Sequence, residues 1–243
     1  RFYQSPEGAV AKRLIGRKLG EAWPDVRGLD MLGIGYCTPY LDRFNEARRV
    51  LSAMPAAQGA EIWPTDMRVR TTLVEEALPF PTALFDRILM MHVLEESPVP
   101  QGLLLEASRL LAPNGKLILG VAARGGFWAH AEKTPFGYGQ PYSRMQLEAA
   151  LRDAELEPLA WSYALYAPPF SPFLGWSGAL ENILPRVWPI TGGLILMEAG
   201  RRPFIAHTAR PQKSILQELR GVLNPPQPVP TSRDHAPVTR EPA

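Results

Sequence analysis

Apolar residues along the chain follow two rhythms. Val10, Leu14, Ile15 and Leu19 recur at helical spacing behind Ser5-Pro6-Glu7, where serine suits the N-cap and proline the first helical position, so a helix is expected to precede everything else. Short, nearly continuous apolar runs follow at 27–32, 49–54, 71–74, 85–91 ("FDRILMM"), 116–121 ("KLILGV"), 156–166 and 193–199 ("GLILMEA"). Runs of this length between turn residues read as strands buried on both faces. Helical spacing returns between them. Thr38 or Pro39 opens a helix carrying Tyr40, Leu41 and Phe44, and Leu103, Leu104, Ala107, Leu110 and Leu111 share one side of a helix at 101–111. That helix is expected to stop at Ala112-Pro113-Asn114-Gly115, through proline and a left-handed residue. Ser143 caps a further helix at 143–154, and another is expected near 179–187. Strands alternating with helices predict an α/β fold with a mostly parallel sheet covered on both faces.

Composition narrows the class. The 243 residues, 46% of them hydrophobic, suit one α/β domain with a tail. The 26 basic and 24 acidic residues leave a formal charge of +2, too little to draw in nucleic acid or an anionic membrane surface. The single cysteine excludes an internal disulfide and a cysteine-built zinc site, no metal is expected, and a reducing compartment, the cytoplasm, is favoured. No apolar run approaches the ~20 residues of a membrane helix, and "RFYQSPEGAV" lacks the apolar core of a signal peptide. The expected organisation is an N-terminal helical segment at 1–22, a main domain at 23–205 and a tail at 206–243. Beyond about Asn224 the sequence "NPPQPVPTSRDHAPVTREPA" has almost nothing apolar to offset its ordering entropy, so disorder is expected there.

The first strand runs into a glycine turn, "LDMLGIGYCTPY", with Gly33 and Gly35. Two glycines alone are a weak signal: a tight turn would use them, and a nicotinamide dinucleotide loop would want its third glycine at Thr38. The order of blocks downstream says more. Leu78-Pro79-Phe80 stands ahead of Phe85-Asp86, and Glu106, Arg109, Leu111, Pro113, Gly115 and Leu117 follow in an E..R.L.P.G.L pattern. In these features, over roughly residues 25–200, the chain resembles class I S-adenosylmethionine-dependent methyltransferases of the type 11 group. The resemblance implies a Rossmann-like, seven-stranded sheet with the seventh strand antiparallel between the fifth and sixth. It also implies S-adenosylmethionine as cofactor, bound at the carboxyl ends of the strands.

Residue by residue, the resemblance places Gly33 and Gly35 where backbone approaches the methionine end of the cofactor. The motif's third glycine is Cys37 here, read as a packing residue because no charged neighbour in sequence lowers its pKa. Met31 fills the slot of an acidic residue, with Asp30 one step earlier and on the opposite side of the strand. Ala53-Met54 ends the second strand where a carboxylate would hold the ribose, with Gln58 and Glu61 as the nearest replacements. A charged acceptor contributes about 1.5–3 kcal/mol, so its loss predicts binding weakened roughly tenfold to a hundredfold, into the micromolar-to-millimolar range. Glu76 is the candidate for the adenine amino group, and Met54 and Leu78 for its flat faces. His92, just past the fourth strand, is the candidate to accept a proton from the methyl acceptor. Glu95 and Glu96 read as the start of the next helical region. The segment at 125–142 reads as a lid or an edge-covering cluster, with Trp128, His130, Phe136, Tyr138 and Tyr142. Arg48-Arg49 and Arg201-Arg202 read as solvated strand ends. The function expected is in-line methyl transfer to a small or medium-sized acceptor, with a protein partner also compatible. The alternatives are a catalytically silent scaffold, suggested by Met31, Cys37 and Met54, and methylation of RNA or protein, which the near-neutral charge does not support.

Overall fold

A computed structural model describes residues 2–56, 59, 61–65, 69–74, 77–131, 134–168 and 192–202. The helix expected near 179–187, the tail, and the candidates Gln58 and Glu76 lie outside the described residues.

Helix α1 (Pro6–Ala22) begins as expected, with Ser5 accepting a hydrogen bond from the Gly8 amide. It is followed by β1 (Asp30–Gly35), the short helix α2 (Thr38–Leu41), β2 (Arg49–Pro55), β3 (Thr71–Val74) and β4 (Phe85–Met91). Then come α3 (Pro100–Leu110), β5 (Leu111–Ala122), α4 (Arg144–Asp153), β6 (Leu156–Ala164) and β7 (Leu194–Arg201). The strand order is β3-β2-β1-β4-β5-β7-β6. Neighbouring strands from β3 to β5 pair in parallel, and β7 lies antiparallel between β5 and β6, as the resemblance implied.

Strand periodicity explains the unbroken apolar runs. Along β1, β4 and β5, Leu32, Ile34, Ile88, Met90, Leu117 and Leu119 face one core with Leu104 and Leu110 of α3 and Leu147 and Leu151 of α4. Met31, Leu89, Met91 and Ile118 face the other core with Leu14, Ile15 and Leu19 of α1 and Tyr40 and Leu41 of α2. Each strand therefore needs apolar residues at both parities.

The two largest boundary differences lie at β1 and at the junction of α3 with β5. β1 lies at 30–35 rather than 27–32, because Gly33 and Gly35 pair with Leu89 and Met91 and so belong to the sheet. The helix expected at 101–111 ends at Leu110, where Leu111 turns to extended backbone (ψ 130°) and opens β5 without a left-handed residue at 112–115.

The family-like blocks serve the fold. Arg109 donates to the carbonyls of Leu78 (3.1 Å) and Phe80 (3.0 Å) while paired with Glu106 (2.8 Å), fastening the Leu78-Pro79-Phe80 turn to α3. Asp86 accepts from the Asp30 amide at 2.9 Å, joining the amino ends of β4 and β1. Arg48 is no free surface charge: it grips the buried Asp30 carboxylate through two bonds of 3.0 and 2.6 Å, and this pairing holds the Asp30 carboxyl below its ordinary range.

Candidate active site

At the carboxyl ends of β1 and β4 the connecting loops carry left-handed backbone at Gly35 and His92. Gly35 has φ +82°, and a Cβ there would lie 2.5 Å from the Met91 carbonyl oxygen and 2.6 Å from Val93 Cβ. At Gly33 a Cβ would lie 2.7 Å from Cys37 Cβ and 3.0 Å from Leu41 Cδ1. The glycines therefore admit the protein's own chain: α2 closes on Gly33, and the loop after β4 closes on Gly35. The Tyr36 amide completes the junction by donating to Met91 O at 2.9 Å. Cys37 is fully buried, its Sγ donating to the carbonyls of Ile34 (3.2 Å) and Leu89 (3.1 Å). Burial pushes its thiol far above the ordinary range, so it packs and does not attack. Met31 lies wholly in the core, and Asp30 sits at the opposite end of the strand with Arg48.

A carboxylate does stand at the end of β2, from the following loop rather than the strand. Glu61 Oε2 accepts a hydrogen bond of 2.7 Å from Thr38 Oγ1 at the first turn of α2. The Tyr36 hydroxyl interacts with both, and burial followed by the Glu61 charge pushes its pKa up to about 12. The Glu61 amide is anchored on Met54 Sδ at 3.3 Å. Met54 and Leu78 are both buried, 2% and 4% exposed.

His92 has left-handed backbone (φ 54°) and is buried, with Nε2 2.7 Å from the Tyr3 hydroxyl and its ring edge-to-face on Phe136 at 4.7 Å. Desolvation lowers its pKa to about 4, so the imidazole is neutral at physiological pH. Tyr3 also accepts from the Tyr40 hydroxyl at 2.9 Å and stacks on Tyr36 at 5.7 Å, which lays the N-terminal segment across the ends of β1 and β4. Nothing in the sequence signals this role for Tyr3, because its partners are 33 to 89 residues away.

The aromatic segment after β5 divides. Trp128 and Phe136 are buried in the core, with Trp128 Nε1 donating to Ala167 O at 2.7 Å. His130 is exposed. Tyr138 and Tyr142 line a cleft of about 670 Å³ whose other wall is the loop after β4, including Leu94, Glu95 and Glu96. Glu95 begins no helix: it is 7% exposed, and its Oε1 accepts from the Ala122 amide at 2.8 Å at the very end of β5. Burial raises its pKa to about 7. Two acids following the apolar "MMHVL" run were the signal available for it. Among the described residues no three His, Cys, Asp or Glu side chains converge as metal ligands, and no helix is long and apolar enough to cross a membrane.

Comparison with known proteins agrees with this geometry. Residues 32–119 match the family described as Methyltransferase domain, of the type 11 group. An uncharacterized protein of Mycobacterium tuberculosis is 33% identical over 103 residues, 40% of this chain and 36% of that protein, so the chain spans about a third of that relative's length. Among solved structures, an S-adenosylmethionine-dependent methyltransferase from Mesorhizobium loti superposes with a TM-score of 0.55 at 14% identity, over 83% of this chain and 100% of that one. The [4+2]-cyclase SpnF superposes with a TM-score of 0.53 at 20% identity, over 79% of this chain and 81% of that one. With its glycine turn, its Arg109-anchored blocks and its inserted antiparallel strand, the chain has the Rossmann-like fold of class I S-adenosylmethionine-dependent methyltransferases, and its residues 32–119 match the methyltransferase domain family of the type 11 group.

Proposed function

We propose that this protein transfers a methyl group from S-adenosylmethionine to a small acceptor entering between the loops after β4 and β5. The observation that carries this reading is the Glu61 carboxylate hydrogen-bonded to Thr38 at the carboxyl ends of β1 and β2. An exposed carboxylate beside a helix's first turn is the donor-and-acceptor set that a ribose diol requires. It supplies the acceptor that Ala53-Met54 lacks, so the binding deficit expected from the strand end alone is offset. Met54 and Leu78 offer apolar walls for a flat base, and Gly33 and Gly35 keep the turn compact enough for a ligand to lie across it. Glu76 remains the candidate for the adenine amino group, and Tyr138 and Tyr142 for contact with the acceptor.

When bound, the sulfonium supplies an activated methyl whose leaving group departs neutral, so alignment is the chief demand on the protein. Tyr3, Tyr36 and His92 surround the ends of β1 and β4 and exclude water there. His92, neutral and joined to Tyr3, orients this layer and is the candidate to accept a proton.

Titration calorimetry with S-adenosylmethionine and its demethylated product tests the reading. Saturable binding is expected, with Glu61→Ala weakening it tenfold to a hundredfold, the equivalent of about 1.5–3 kcal/mol. No heat at millimolar ligand from folded protein would refute it and favour a non-methylating role on the same fold.

A further inference from the structure

Three side chains at the strand ends form a hydrogen-bonded chain with a direction. The Tyr40 hydroxyl lies 2.9 Å from the Tyr3 hydroxyl, which in turn lies 2.7 Å from His92 Nε2. Counting protons settles who donates. Tyr40 is wholly buried, and among the described residues its hydroxyl has one hydrogen-bond partner, the Tyr3 oxygen. Its proton therefore goes to Tyr3. Tyr3 must then turn its own proton to the imidazole, because a hydroxyl has one proton to give and its other partner, Tyr40, is already donating. Both phenols keep these protons at neutral pH, since burial raises each above its ordinary range. Reversing the chain would leave a phenolic proton enclosed without an acceptor, a cost that buried polar groups avoid. The fold holds Tyr3 at this station. It sits in the 3-10 turn Phe2–Gln4, joined to the cap of α1 by the Ser5 amide on Phe2 O at 2.9 Å. Gly8 supplies the notch, since a Cβ there would run into the Phe2 carbonyl. Phe2 packs edge-to-face on Trp128 at 6.3 Å and on Phe136 at 6.0 Å, and Tyr3 on Tyr40 at 5.8 Å.

We propose that Tyr3 is a positioning residue: it fixes His92 as the tautomer that carries its proton on Nδ1 and gives the Nε2 lone pair to the Tyr3 hydroxyl. The tautomer of an imidazole follows the hydrogen bond that one of its nitrogens makes. In water the same ring prefers its proton on Nε2, so the contact reverses an intrinsic preference. The inference rests on the methyltransferase reading for its purpose and narrows the part of His92 in it. An imidazole takes a proton through its bare nitrogen, and here that nitrogen is occupied while Tyr3 is seated. With Tyr3 in place His92 is a neutral ring held in one orientation, and proton acceptance waits on Tyr3 leaving Nε2.

NMR of the full chain labelled with nitrogen-15 reads the tautomer directly, because a protonated ring nitrogen and a bare one resonate far apart. The chain's four histidines are told apart by through-bond assignment to the backbone. At neutral pH the His92 proton should sit on Nδ1, by about tenfold or more over the other form, a result that requires no variant to fold. Tyr3→Phe, which keeps the ring and loses the hydroxyl, should lower that ratio at least about fivefold. Tyr40→Phe leaves Tyr3 with its own proton still to place and should leave Nδ1 protonated. A wild-type His92 with its proton on Nε2 would overturn the proposal, as would an unchanged ratio in folded Tyr3→Phe. So would a shift in Tyr40→Phe as large as in Tyr3→Phe, which would trace the effect to loosening of the whole aromatic layer. S-adenosylmethionine titrated by calorimetry into the same wild-type sample separates the two readings: cofactor binding with the proton on Nε2 sinks only this inference, and a proton on Nδ1 without cofactor binding sinks only the methyltransferase reading.

Discussion

Gly28 and Gly35 offer a paired test of what the glycine turn is for. Both have left-handed backbone, φ +74° and +82°, so an alanine at either pays a similar conformational cost of about 1–2 kcal/mol. The gain from a stiffer unfolded chain is common to both and cancels in the comparison. Their surroundings differ. A Cβ at Gly28 meets nothing within 4 Å, whereas at Gly35 it stands 2.5 Å from the Met91 carbonyl oxygen and 2.6 Å from Val93 Cβ. The carbonyl is backbone, part of the junction that receives the Tyr36 amide, and cannot swing aside as a side chain would. Forcing it back adds an overpacking cost of about 1–3 kcal/mol. Gly28→Ala should therefore destabilise by about 1–2 kcal/mol and Gly35→Ala by about 2–5 kcal/mol. Urea unfolding followed by circular dichroism, with equal slopes confirming comparable transitions, measures both. Costs agreeing within about 0.5 kcal/mol would refute the steric argument. The result bears on function too: a Gly35 variant that loses cofactor binding reports first on a broken strand junction, so Glu61→Ala is the cleaner probe of the cofactor site.

Glu95 and His92 should bend the pH profile of stability in opposite directions. The folded Glu95 carboxyl, raised to about 7 from 4.5, contributes stability that is complete below the unfolded value and lost as pH rises through 7. His92, lowered to about 4 from 6.5, contributes stability that is complete above 6.5 and lost as pH falls through 4. Each effect is on the order of 3 kcal/mol, so they largely cancel between about pH 4.5 and 6.5. Glu95→Gln should expose the His92 limb, with stability rising across that interval, and a profile parallel to wild type in denaturant titrations at several pH values would count against both assignments. Arg48→Ala leaves the buried Asp30 carboxylate without its two-bonded partner and should lower stability at pH 7. That cost should shrink as pH falls and Asp30 protonates, because pairing lowers the folded Asp30 pKa; a pH-independent cost from parallel thermal and urea unfolding would contradict it.

The periodic apolar runs determined the sheet. Strands buried on both faces must be apolar at both parities, so β4 was legible to the residue, and Ser5 and Ser143 marked their helices through local hydrogen bonding. The family-like blocks were legible through the resemblance, and in the fold Leu78, Phe80, Asp86, Glu106 and Arg109 tie a turn to one helix and one strand end to its neighbour. The site was not legible in the same way. Glu61, Thr38 and Tyr36 meet only once β1 and β2 lie side by side, and Tyr3 reaches His92 across 89 residues of chain. Burial, too, was decided by the tertiary structure. It pulled Trp128 and Phe136 into the core while leaving Tyr138 and Tyr142 on a cleft. It also made Glu95, read as the start of a helical region, a desolvated carboxyl, because desolvation depends on what packs around a group and the sequence shows only what lies beside it.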